Sequence, residues 1–159
     1  MWASGAYADC RLVPSSGEEV ACHRLVLSAR SEHFDRLFAP TASAVTPSPI
    51  RLHLHVPRPV LLAALRHVYL EQPPPVSDLS HSELLALRGV ARDWALHSLL
   101  HQTALALAET LCTRTVCSTL AACGREEARA GLAGTQPHPS TILLKEAAGD
   151  FAAARFEAL

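Results

Sequence analysis

The order of the fold is set by one run, Ala21-Cys22-His23-Arg24-Leu25-Val26-Leu27-Ser28-Ala29-Arg30-Ser31-Glu32-His33-Phe34-Asp35-Arg36-Leu37-Phe38. Leu25, Val26 and Ala29, then Phe34, Leu37 and Phe38, recur at steps of three and four residues. That period predicts two short helices, each turning an apolar face to a core. Ser31 separates them, with Glu32 beside it. A serine at this point can cap the second helix by accepting a free backbone N–H. His23 closes a strand, and Arg24 opens the first helix.

Outward from this run, Asp9 to Val13 and Val20 to Cys22 read as two short strands. Pro14-Ser15-Ser16-Gly17-Glu18 between them is rich in turn-formers, so they form a hairpin. Residues 40–49 hold three prolines and no charge, the composition of a loop. Ile50, Leu52, Leu54 and Val56 then alternate with Arg51, His53 and His55, a strand with one buried face and one wet face. Pro57-Arg58-Pro59 opens a helix carrying Leu61, Leu65, Val68 and Tyr69 on one side, and Gln72-Pro73-Pro74-Pro75 ends it.

Ser80 or Ser82 caps the next helix, from about Glu83 to Leu96, with Leu84, Leu87, Val90, Ala91 and Trp94 as its stripe. Another helix runs from about Ser98 to Leu111. Hairpin, two helices, strand and three helices together describe an α+β domain, a small, mostly three-stranded sheet packed with helices. Beyond Cys112 the pattern predicts a helical pair, Val116 to Cys123 and Glu126 to Leu132, broken at Gly124. A final helix over Ile142 to Leu159 is expected to bury Leu143, Ala147, Phe151 and Ala154.

Composition narrows the class. Of 159 residues, 49% are apolar, enough for one domain with a core and a helical appendage. Fourteen bases against fifteen acids give a net charge of −1, and the bases are scattered, which argues against nucleic-acid binding through bulk charge. The first nine residues have neither a basic start nor a long apolar run, so no signal peptide is expected. No segment offers eighteen uninterrupted apolar residues, and a cytoplasmic or nuclear location follows. Cys10, Cys22, Cys112, Cys117 and Cys123 are expected as free thiols packed like small hydrophobes.

The ordered set resembles the BTB/POZ domain. Asp9 to Val13 is similar to its first core strand, and Ala21 to Ser31 to its most recognisable run: a strand end, His-Arg or His-Lys, an apolar helix and a serine. Phe34, Leu37 and Phe38, then Ile50 to Val56, Leu61 to Tyr69 and Leu84 to Leu96 follow in the family's order. Thr115 to Leu132 and Leu143 to Leu159 resemble the opening helices of the BACK extension, with the loop around Pro137 as an insertion. The expected division is therefore a BTB/POZ domain over residues 7–111 and a BACK-like extension over 112–159.

The resemblance implies a protein-interaction module with no catalytic site and no cofactor. Its implied partners are a second BTB domain, as homodimer or heteromer, and the cullin-three scaffold of a ubiquitin ligase, to which the chain would bring a protein substrate. Leu37, Phe38, Tyr69 and Glu71 are the implied partner-binding residues, and Asp9 with Arg24 the implied charged pair near the dimer groove. Several positions depart from the family pattern. The loop from Ala39 to Pro49 holds no acid where cullin-binding members often carry an apolar-x-Glu element. His67 replaces a common aromatic, and Leu70-Glu71 replaces Thr-Gly. Eight residues before Asp9 leave no room in this chain for the amino-terminal helix of swapped dimers.

Two readings of the whole stay open, a cullin-three substrate adaptor and an oligomerisation scaffold without a ligase partner. The acid-free loop favours the second. For Asp9 and Arg24 the alternatives are partner recognition and a structural ion pair, since such a pair adds little net stability. Tyr69 and Phe38 are either binding anchors or core. His23 reads as a structural boundary group. His53 and His55 share one strand face, but a zinc site needs four ligands and none is supplied nearby. There is no phosphate loop, no Gly-x-Ser-x-Gly elbow and no His-Glu-x-x-His pair, so no enzyme is expected.

Overall fold

The structure, a computed structural model, describes residues 5–39, 49–73 and 76–156. The expected loop over 40–48 and the chain ends lie outside the described residues. Strands β1 (Cys10–Val13) and β2 (Val20–Cys22) form an antiparallel hairpin, and β3 (Ile50–His53) adds parallel to β1, so the sheet order is β2-β1-β3. Gly17 turns the hairpin with φ +83°, its N–H donating to the carbonyl of Pro14. Central β1 buries Cys10, Leu12 and Val13, while edge strand β3 alternates as its sequence predicts, turning Arg51 and His53 outward.

Helices α1 (Arg24–Arg30) and α2 (Glu32–Phe38) follow the hairpin. Ser31 joins them as expected: its Oγ accepts the N–H of Phe34 at 3.4 Å and donates to the carbonyl of Trp94 at 2.6 Å. The predicted inward face of α1 is corrected. Leu27 is the buried residue, Ala29 is exposed, and Leu25 is 80% exposed. Two turns are too short for periodicity to fix a face. The rotation is set instead by the bond from the N–H of Arg24 to Asp9 Oδ1, 2.8 Å. Phe34 is the anchor of α2, stacked on Phe38 and edge-on to Trp94 at 4.8 Å between ring centroids.

Helix α3 (Arg58–Leu70) is buried on most of its surface, at Val60, Leu61, Ala63, Ala64, Leu65, His67 and Val68. It is the central helix rather than a one-sided one. Helix α4 (His81–Asp93) begins at a capping box in which Ser80 and Glu83 satisfy each other's backbone N–H groups. It packs on α3 and on α5 (His97–Glu109). The stripe Leu84, Leu87, Val90, Ala91 and Trp94 is buried as predicted.

The chain continues into α6 (Val116–Leu132) and α7 (Pro139–Phe156), with α7 packed on α5 and α6. Two expectations are overturned here. Gly124 does not break α6. A mid-helix glycine costs about 1 kcal/mol, and the buried stripe Val116, Thr119, Cys123 and Glu126 outweighs it. In α7 the buried residues are Ser140, Thr141, Leu144 and Ala148, one position away from the predicted face, and Leu143 is half exposed. The reason is polar: Ser140 and Thr141 turn inward to a buried ion pair.

Candidate functional site

Arg24, at the start of α1, also closes α2. Its guanidinium sits 5.1 Å from the centroid of Phe38 and donates to the Phe38 carbonyl at 3.4 Å, a cation at a helix C-terminus. Asp9 and Arg24 do meet, but through carboxylate and backbone N–H. Their side chains form no ion pair among the described residues, because the guanidinium is occupied at Phe38.

Tyr69 points back into the fold. Its hydroxyl accepts the His23 N–H at 2.8 Å and lies 2.9 Å from His23 Nδ1. His23 Nε2 is 2.7 Å from the carbonyl of Ala6, which can only accept. Nε2 therefore carries a proton, and Nδ1 shares a hydrogen bond with the Tyr69 hydroxyl. Burial raises the Tyr69 hydroxyl above its ordinary range, so it stays a donor. Tyr69→Phe is expected to destabilise the fold by about 1–3 kcal/mol, the cost of leaving buried partners unmade. Denaturant unfolding checks it; an unchanged midpoint with lost partner binding would assign Tyr69 to an interface instead.

Glu71, in left-handed backbone with φ 55°, caps α3 and pairs with Arg30. Leu37, 48% exposed at the end of α2, and Glu71, with its side chain 64% exposed, are the implied contacts open to solvent, and Phe38 is partly buried. The structure thus brings Arg24 and Phe38 together, turns Tyr69 to His23, and leaves Glu71 on the surface beside Arg30. His53 and His55 are exposed, and no three His, Cys, Asp or Glu side chains approach closely enough to hold a metal among the described residues.

The cysteines divide. Cys10 and Cys22 face each other across the hairpin, and burial pushes both thiols up to about 12, which leaves them inert. Cys123 is buried too. Cys112 and Cys117 are exposed, correcting the expectation that all five pack inside.

Sequence reasoning missed the largest polar cluster. Arg88 is 1% exposed. Its guanidinium makes a fork to Glu126, with Nε to Oε1 and Nη2 to Oε2 both 3.0 Å. It also donates to Thr141 Oγ1 at 2.7 Å and to the carbonyl of Leu100 at 2.8 Å. Thr141 in turn donates to Glu126 at 2.7 Å. Four helices, α4, α5, α6 and α7, meet in this network. Its signal was present: Arg88 lies on the stripe of Leu84, Leu87 and Ala91, and Glu126 on that of Thr119 and Cys123.

Three strands, the His23–Tyr69 latch and helices α1 to α5 occupy the span that the BTB/POZ domain family model matches, residues 1–110. The chain belongs to the BTB/POZ family. No curated protein matches it. BTB domains are protein-interaction domains, not an enzyme family, and their partners are proteins, including other BTB domains. The match ends at the close of α5, so α6 and α7 lie beyond it, joined to the BTB domain through Arg88. No helix among the described residues is long and apolar enough to cross a membrane.

Proposed function

We propose that this BTB domain is a substrate adaptor for a cullin-three ubiquitin ligase, working in the cytoplasm or nucleus. It supplies no chemistry and acts by holding a protein substrate near the ligase, raising its effective concentration. The observation that carries this reading is Leu37, half exposed at the end of α2, on the surface where the family resemblance places the cullin. An apolar side chain beside a partly buried aromatic suits an interface anchor. Helices α6 and α7 support the reading as a BACK-like extension docked against the domain.

Pull-down of cullin three tests it. The wild type is expected to bind, Leu37→Asp to lose binding, and Tyr69→Phe to keep it. Failure of the wild type to bind sinks the proposal.

A second reading, a BTB oligomerisation scaffold, is favoured by a different observation. Leu25 on α1 is 80% exposed and Tyr7 in the turn before β1 is 90% exposed, an apolar pair flanking the Ala6–His23 contact. A second copy would cover them. Sedimentation is expected to show a dimer that Leu25→Glu dissociates; a monomer at every concentration counts against it.

A further inference from the structure

We propose that the groove between α4 and α6 is a docking site for an acidic segment of a partner protein, one that is neither cullin nor a second BTB domain. A cleft of about 250 Å³ lies between the two helices, and one of about 370 Å³, walled also by α5, residues 133–138 and α7, adjoins it; they share Arg92, Glu126 and Arg129 as walls. Arg125 joins Arg92 and Arg129 in the smaller cleft, so three guanidiniums from two helices converge. That is unexpected in a chain of net charge −1 with scattered bases.

The carboxylates around them are taken. Glu83 caps α4, Asp93 pairs with Arg92, Glu126 pairs with Arg88, and Glu127 pairs with Lys145. These are all the acids of the two helices. Arg125 and Arg129 meet no carboxylate among the described residues. They lie four apart on one helix, where like charges repel and an intervening anion relieves the repulsion.

The floor names the shape of the guest. Ala86 and Gly89 of α4 and Ala122 of α6 are small, so a backbone can approach closely, and a Cβ at Gly89 would meet nothing within 4 Å. At the far end the larger cleft is mostly apolar. An extended peptide fits both halves, with carboxylates on Arg125 and Arg129 and an apolar side chain in the larger cleft. Nucleic acid is disfavoured, because no Phe, Tyr or Trp lines either cleft and the two imidazoles of the larger one, His97 and His138, are stacked on each other.

The probe is a fluorescein-labelled peptide of alternating glutamate and leucine, titrated with the full chain and followed by anisotropy. Saturable binding in the range of about 10–100 μM is expected, falling at least about tenfold for Arg125→Glu with Arg129→Glu, and weakening with salt. Arg66→Glu, on exposed α3 surface, leaves it unchanged. Arg129→Gln, a milder change, weakens binding in the same direction, and melting curves confirm that each variant is folded. A peptide with glutamine for glutamate is expected not to bind. No saturation up to about 1 mM, binding indifferent to the arginine changes, or equal binding of a single-stranded oligonucleotide each overturns the proposal. The cullin pull-down and the sedimentation result do not bear on this outcome.

Discussion

Glu126→Ala lowers the stability of the chain by about 3–5 kcal/mol, a large part of the 5–15 kcal/mol that a domain has in total. The substitution leaves the Arg88 guanidinium in place, 1% exposed, with its fork of acceptors removed. No second carboxylate among the described residues pairs with Arg88 to replace them. For a chain of this length the melting temperature falls by on the order of 10 °C, and differential scanning calorimetry reads it. The companion variant separates charge from shape. Arg88→Met with Glu126→Leu removes both ions, and buried pairs exchanged for apolar side chains of like volume are often neutral. Recovery is expected to be incomplete, since Thr141 then loses both its donor Arg88 and its acceptor Glu126, while the carbonyl of Leu100 keeps the Thr103 hydroxyl. If Glu126→Ala alone changes stability by less than about 1 kcal/mol, the network does not hold the helices together.

How far the sequence foretold this depends on the range of each interaction. The capping box at Ser80 and Glu83, the cap at Ser31 and the alternation of β3 are local, and each stands where the residues place it. The stripe of α4 is thirteen residues long, long enough for periodicity to fix its face. Helix α1 is seven residues long, and a tertiary bond from Asp9 sets its rotation. Helix α7 departs from its apolar period because its buried face begins with polar residues: Ser140 and Thr141 answer a charge brought by another helix. Among the site residues, Leu37 and Glu71 are both exposed, and the Tyr69–His23 bond and the Glu71–Arg30 pair join positions more than forty residues apart that only the folded chain brings near. The basic groove was invisible for the same reason. Arg92 is more than thirty positions from Arg125, and only the packing of two helices aligns them.

Cutting the chain after residue 111, at the boundary proposed between the BTB domain and its helical extension, is expected to cost more than any point change. Truncation hydrates Arg88, so the loss there is milder than in Glu126→Ala. The greater loss is apolar. Leu144, Ala148, Cys123 and Val116 leave, and the face of α5 on which α7 packs meets water. Uncovering several hundred Å² at about 25 cal/mol per Å² costs on the order of 5–10 kcal/mol, comparable to the whole stability of a domain. The fragment is therefore expected to aggregate or to melt without a cooperative transition, although the family match covers its residues 1–110. Size-exclusion chromatography with a thermal melt decides it. A monodisperse fragment melting within a few degrees of the full chain would mean that α6 and α7 are only an appendage. Failure of the fragment would mean that the Arg88 network and the α5–α7 packing make the extension part of one folding unit. Any cullin or peptide assay must then use the full chain, because loss of binding in the fragment would report unfolding rather than a missing surface.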